Sequence, residues 1–341
     1  MMNQQNHSIV IQNKKIGSTS ETYFIAEAGL NHNGDIKLAK KLVYEAYDCG
    51  ADAIKFQTYK SENFLTTSSQ YYNFFKNVEL SIEQFGELND YSKSIGITFF
   101  SSAFDIESAD NLKRIGIPCF KIASSDLTNF PLIKHIAQMN IPIILSTGLA
   151  NLKEIKEAME ICEYVGNNNI ALVHSVANYP TQPDEANLLA INTLKNHFAV
   201  PVGYSDNGES ELVDLVAVSI GADLIEKHFT LDKKLPGPDH SFSIDPKGLK
   251  KLISEIRLIK KIKGNGEKIP QPSEIKNIQA IRKSLTASMN IHKGDELTHE
   301  NIAIKRPAIG LEPKHYEKII GKKVKNDILK DSPIKWDDII E

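Results

Sequence analysis

The sequence predicts a (β/α)₈ barrel followed by a small, turn-rich domain. Three observations lead there. Eight short apolar runs alternate with helical periodicity between about residues 22 and 262, the pattern of a parallel sheet with crossover helices. Each run closes on a reactive polar residue, as expected where the C-terminal strand ends of a barrel converge on one mouth. The stretch KGNGEKIPQPSEI, with two glycines and two prolines, then breaks the alternation. A doubly wound sheet is the competing arrangement, and eight runs with polar ends throughout favour closure.

Taken in order, SIVIQNKKIG (8–17) reads as a β-hairpin covering the barrel floor, since the mouth must stay open. YFIAE ends the first barrel strand at Glu27. Asp35 then caps a helix that places Ala39, Leu42, Val43 and Ala46 on one face. AIKFQ carries Lys55 and Gln57. The connection from 58 to 80 is long and aromatic (Phe64, Tyr71, Tyr72, Phe74, Phe75), which suits a lid or a subunit contact. ITFFSS ends at Ser101 and Ser102, and Asp105 caps the next helix. CFKIASSD brings Lys121, Ser124 and Asp126. IPIILST closes on Ser146 and Thr147, and IALVHS on His174. PVGYSD closes on Ser205 and Asp206, and LIEKH on Lys227 and His228. In LPGPDH (235–240) two prolines and a glycine stiffen a loop that aims Asp239 inward. The expected division is a barrel over 1–262, a linker over 263–281 and a small domain over 282–341.

With 341 residues, 41% of them hydrophobic, the chain can bury one large core and one small one. A net charge of −3 gives no reason to expect a nucleic-acid or membrane partner. Cys49, Cys119 and Cys162 match neither a disulfide framework nor a zinc motif, and read as buried apolar residues in a reducing cytosol. MMNQQNHSIV lacks the charged start and apolar core of a signal peptide, so a cytoplasmic protein is expected.

The strand ends suggest two kinds of chemistry. Lys55, Lys121 and Lys227 beside Ser102, Ser124, Ser146 and Ser205 suit a phosphate, whose oxygens accept several charge-assisted hydrogen bonds. The chain has only four arginines (Arg114, Arg257, Arg282, Arg306), so the anion falls to lysine, serine and backbone N–H groups. His174 and His228, with Glu27, Asp206 and Asp239 nearby, suit a divalent metal. His32 and His240 reach towards the mouth from loops. His135, His197, His292 and His299 read as surface residues.

Several long motifs together resemble the sialic acid (N-acetylneuraminate) synthase family, including legionaminic and pseudaminic acid synthases. They are IAEAGLNHNGD, AIKFQ, FKIASSDLTNFPLI, ILSTGLANLKEI, GYSDN, EKHFTLDKKLPGPDH, KSLTA and KRPAIG. The resemblance implies a barrel followed by an antifreeze-like (SAF) domain. It implies condensation of phosphoenolpyruvate with an N-acylated amino-sugar aldose, with release of phosphate, by a domain-swapped homodimer. Carried over by position, Lys55, Ser102, Lys121, Ser124, Ser146 and Ser205 would cradle phosphoenolpyruvate. Glu27, Gln57, Tyr179 and Asp239 would contact the sugar and the intermediate, with Glu27, Lys55, Lys121 and Asp239 as the catalytic set. Arg306 would reach the N-acyl group from the partner subunit.

His228 matches one metal histidine of the family. The second is replaced here by Asn207, which shifts the expected ion towards Mn²⁺ or Mg²⁺ or brings in another donor such as His240 or Asp206. The family's SGE reads here as Ser124-Ser125-Asp126, so the carboxylate expected at the sugar is one methylene shorter. The rival readings are a phosphoenolpyruvate-dependent 2-keto sugar-acid synthase acting on a sugar phosphate, and a Schiff-base aldolase using Lys121 or Lys55. A non-catalytic ice- or carbohydrate-binding protein is a third.

Overall fold

The computed structural model describes residues 8–340. They form two compact units, one ending at Gly264 and one beginning at Asn265.

In the first unit, a hairpin of β1 (Ile9–Ile11) and β2 (Lys14–Ile16) precedes eight barrel strands. These are β3 (Tyr23–Gly29), β4 (Ala53–Thr58), β5 (Thr98–Ala103), β6 (Phe120–Ile122), β7 (Ile143–Ser146), β8 (Ile170–Ser175), β9 (Val202–Asp206) and β10 (Leu224–His228). Each pairs in parallel with the next, and β10 closes on β3. A helix follows every strand, among them Ile36–Asp48, Ile82–Ile95, Leu152–Tyr164, Glu211–Ser219 and Pro246–Lys263. Several start on the side-chain caps that the sequence suggests. Asp35 accepts from Lys37 N at 2.7 Å and Asp105 from Ser108 N at 2.8 Å.

Side chains alternate across each strand, so the barrel has two separate apolar layers. Phe24, Ile54, Phe99, Phe120, Leu145, Leu172, Tyr204 and Ile225 face outward and pack under the helices. Ile25, Ala53, Phe100, Cys119, Ile144, Ala171, Val173 and Leu224 face inward. Ile9, Ile11 and Ile16 of the hairpin pack with this inner set. The hairpin therefore closes the floor, as the sequence predicts. The interior is tight: a Cβ on Gly203 would collide with the Leu224 backbone oxygen.

The aromatic connection after β4 folds on itself. Tyr59, Phe64, Phe74, Phe75 and Phe104 pack around Leu30 and Val78, with ring centroids 4.8–6.5 Å apart. All three cysteines are buried. No helix among the described residues is long and apolar enough to cross a membrane.

The second unit has an antiparallel pair, β11 (Ser284–Ala287) with β12 (Ile302–Lys305), together with isolated bridges and short helices such as Pro272–Ile275, Ile278–Ile281 and Tyr316–Ile319. Its core is aliphatic: Leu285, Ile291, Leu297, Ile319, Val324, Ile334 and neighbours.

Candidate active site

The inward-facing positions at the C-terminal ends of the strands change from apolar to charged. There, four side chains alternate in sign. Glu27 Oε2 lies 2.7 Å from Lys55 Nζ, and Lys55 Nζ lies 3.7 Å from Glu226 Oε1. Lys121 Nζ donates to both Glu226 oxygens, at 2.7 and 2.8 Å. Hydroxyls and an amide flank the chain. Lys55 donates to Ser102 Oγ at 3.1 Å, Ser205 Oγ to Glu226 Oε1 at 2.9 Å, and Gln57 Nε2 to Glu27 Oε1 at 3.2 Å. All four charged groups are at most 5% exposed, so water barely screens them.

Burial penalises the charge on Glu226, but Lys121 and Lys55 outweigh it and hold the carboxyl down at about 2. Burial likewise opposes the charge on Lys55, yet Glu226 and Glu27 keep it above the ordinary lysine value. Glu27 goes the other way: burial pushes it up, against the pull of Lys55. A carboxyl raised by burial beside an ammonium is a candidate for proton transfer.

A second group stands beside this chain. The β10–β3 register pairs His228 with Glu27. The β10–β9 register pairs Lys227 with Asp206, which puts Asn207 next to His228. Asp239 Oδ2 is 3.8 Å from His228 Nδ1. Tyr179 packs edge-on to His228 at 5.8 Å. Gly29, in the left-handed region at φ +50° beside a bulge in β3, lies where Glu27, Gln57 and Asp239 converge. Burial raises Asp239 and lowers His228.

The serines after β6 and β7 complete the rim. Ser124 Oγ accepts from Gly148 N at 3.1 Å, and Ser146 is buried at the inward end of β7. Asp126 is tied locally, accepting from Asn129 Nδ2 at 2.9 Å and Ser125 Oγ at 3.1 Å. Arg306 is exposed in the second unit, immediately after β12.

Three strand-end expectations fail for one reason, and two loop expectations fail beside them. Lys227 does not point into the mouth. It follows inward-facing Glu226, so it faces outward, where it pairs with Asp206 and Asp214. His174 follows inward-facing Val173 and also faces outward, bonding the Ala186 carbonyl at 2.9 Å and packing near Tyr204. Asp206 leaves the mouth in the same way. His32 and His240 do not reach it either. His32 lies against Phe56, and His240 bridges Thr230 and Asn33. The residue missed is Glu226. Period-two alternation marks it, because it lies two positions before His228 in the same strand.

Among the described residues no three His, Cys, Asp or Glu side chains form a ready-made metal centre. The donors that could hold a divalent ion are His228, whose buried Nδ1 has no hydrogen-bond partner, the Asp239 carboxylate and the Asn207 amide oxygen. The Asn207 Nδ2 is already engaged, donating to Val176 O at 2.8 Å. One nitrogen and oxygen donors fit a hard ion that keeps part of its shell for water or substrate.

Comparison with known proteins agrees with this geometry. Residues 42–268 match the NeuB family model, and residues 282–340 match the SAF domain. An uncharacterized protein of Methanocaldococcus jannaschii is 48% identical over 97% of this chain and 98% of its own. An N,N'-diacetyllegionaminic acid synthase of Campylobacter jejuni is 43% identical over 89% of this chain and 95% of its own. The crystal structure of an N-acetylneuraminic acid synthetase from Leptospira borgpetersenii, in complex with citrate, superposes with a TM-score of 0.76. It is 40% identical, over 80% of this chain and 95% of that one. A TIM barrel that carries a C-terminal SAF domain and these motifs belongs to the NeuB family.

Proposed function

We propose that the protein is a nonulosonic acid synthase. In this reading it condenses phosphoenolpyruvate with an N-acylated amino-sugar aldose, either N-acetylmannosamine or a diacetamido-dideoxy hexose. The products are a nine-carbon 2-keto acid and phosphate. The observation that carries the reading is the buried chain Glu27–Lys55–Glu226–Lys121 at the strand ends.

Glu226 draws the Lys55 and Lys121 amines onto one side of the mouth; it holds Lys55 above the ordinary lysine value, while burial leaves Lys121 below it against the pull of Glu226. With Ser102, Ser205, Ser124 and Ser146 they suit the phosphate and carboxylate of phosphoenolpyruvate. Glu27, Gln57, Asp239 and Tyr179 offer the aldose a neighbouring polar wall. Carbon 3 of phosphoenolpyruvate attacks the aldehyde carbon, and water adds to carbon 2. The tetrahedral intermediate then expels phosphate by C–O cleavage, so the bridging oxygen leaves with phosphorus. Glu27 handles the proton of the attacking water or of the nascent alkoxide. Lys55 and Lys121 hold the phosphate as its charge changes. The chemistry a divalent ion supplies, when bound at His228, Asn207 and Asp239, is Lewis-acid polarisation of a carbonyl oxygen. Arg306 contributes from a second copy in a swapped dimer.

Two rival readings fit less well. A sugar-phosphate substrate calls for a second, usually arginine-lined anion site. The barrel's two arginines lie elsewhere: Arg114 bonds Asn111 on a helix, and Arg257 bonds Asp52 and Thr22 O at the floor. A Schiff-base aldolase needs an amine free to attack a carbonyl, whereas Lys121 Nζ is engaged by both Glu226 oxygens.

Phosphoenolpyruvate labelled with ¹⁸O at the bridging position, offered with a panel of amino sugars and divalent metals, tests the proposal. Label in the released phosphate is expected. Label retained in the keto acid, or release only with sugar phosphates, rejects it.

A further inference from the structure

Behind β9 and β10 lies a group of buried charges that the reaction above does not use. Lys227 Nζ contacts Asp206 Oδ2, lies 3.0 Å from Asp214 Oδ2 and donates to Gly208 O at 3.1 Å. Asp206 Oδ1 accepts from Gly208 N at 2.8 Å and from the Tyr204 hydroxyl at 3.4 Å. Asp214 comes from the helix Glu211–Ser219, and its neighbours in that layer are apolar: Tyr204, Val213, Ala217 and Ile225.

An ion cluster in an apolar layer is a poor stabiliser, because desolvation cancels most of the Coulombic gain. Its geometry is specific nonetheless. Asp206 takes the N–H of Gly208 and Lys227 takes its C=O, so both backbone polar groups of the residue after Asn207 are tied. Asn207 is tied from the other side. Its Nδ2 donates to Val176 O, and its carbonyl accepts from Thr181 N at 3.1 Å. The backbone passes so close here that a Cβ on Gly208 would come within 2.8 Å of Thr181 O.

We propose that Lys227 and Asp206, with Asp214 as the counter-charge from the helix, are positioning residues. They clamp Gly208 and thereby hold Asn207 beside His228, which sets the aldose-facing edge of the mouth without touching a ligand. Pre-positioning of this kind is worth large factors in rate when a displacement of about 1 Å spoils alignment. The link to turnover rests on the synthase reading, whereas the clamp itself does not.

The test uses the full chain carrying Lys227→Met, Asp206→Asn and Asp214→Leu together. This combination removes every charge of the cluster but keeps an acceptor for Gly208 N. Amide exchange across 204–210 is expected to speed up by about tenfold, while the rest of the barrel keeps its protection. The kcat is expected to fall by about tenfold or more, with KM for phosphoenolpyruvate within about threefold. Unchanged exchange in that segment overturns the clamp, whatever the reaction proves to be. Gly208→Ala disturbs the same segment while keeping every charge of the cluster, its Cβ pressing on Thr181 O at 2.8 Å and Asp206 Oδ1 at 3.1 Å, and is expected to lower kcat about fivefold or more. A folded Gly208→Ala protein with parental kcat overturns the link between this segment and turnover. If the parent condenses no sugar at all, the synthase reading fails, and exchange still decides the clamp.

Discussion

The floor and the mouth of this barrel are built from the same eight strands and are equally dry, yet one is hydrocarbon and the other is ionic. The change takes two residues in every strand. Ile25 gives way to Glu27, Ala53 to Lys55, Phe100 to Ser102, Cys119 to Lys121, Ile144 to Ser146, Val173 to Ser175, Gly203 to Ser205, and Leu224 to Glu226. Burial alone therefore does not separate core from site here, and position along the strand does. The floor hairpin and the inner apolar layer serve folding. The polar layer one step above is the proposed binding site, where charges gain strength from the low local dielectric.

Substitutions at the two levels should separate cleanly. The largest effect is expected at the mouth. Lys121→Ala should cut kcat/KM for phosphoenolpyruvate by about 10³-fold or more, the scale for losing a charged donor at an oxyanion. A phosphate-release assay reads it, and a loss under about tenfold would remove Lys121 from the anion site. At the floor, Phe100→Ala should cost about 3–5 kcal/mol of stability, read by denaturant unfolding. The kcat of the folded fraction should stay near parental. A large loss of turnover there would break the division between levels.

The third effect is a pH dependence. The Glu226 carboxyl moves from 4.5 when unfolded to about 2 when folded. Its contribution to stability is therefore fully present above about pH 5 and is lost as pH falls from 4.5 towards 2. Glu226→Gln should flatten that acid limb in unfolding experiments, and an unchanged limb would mean that the mouth charges are not coupled to folding. The smallest effect belongs to neither level. Asn151 caps the helix Leu152–Tyr164, accepting from Lys153 N at 2.9 Å. Asn151→Ala should cost about 1 kcal/mol and leave the kinetics alone.

Much of this was legible in the sequence, because barrel strands announce themselves as apolar runs and their polar ends mark the mouth. The hairpin floor, the caps at Asp35 and Asp105, and the gathering of Glu27, Lys55, Gln57, Ser102, Lys121 and Ser205 all follow from those patterns. The errors at Lys227, His174 and Asp206 come from treating consecutive polar residues at a strand end as equivalent. Two neighbours cannot both face inward, and the apolar residue before each one decides which does. In LIEKH, inward-facing Leu224 assigns Glu226 and His228 to the mouth and Lys227 to the helix layer. The turn-rich second unit was less legible. Its core of Leu285, Ile291, Val324 and Ile334 is drawn from short runs without a sustained period.

A barrel stoppered at one end has a single doorway. Lys55 and Lys121 sit in its depths at 3% exposure, while Tyr179 stands at the threshold at 55%. Under the proposed two-substrate reaction the ligand held by the lysines would enter first, because one lodged near Tyr179 would stand in its way. The deeper fragment would likewise wait for its neighbour to depart, so that reading makes the order of arrival and release a consequence of depth, before any chemistry begins.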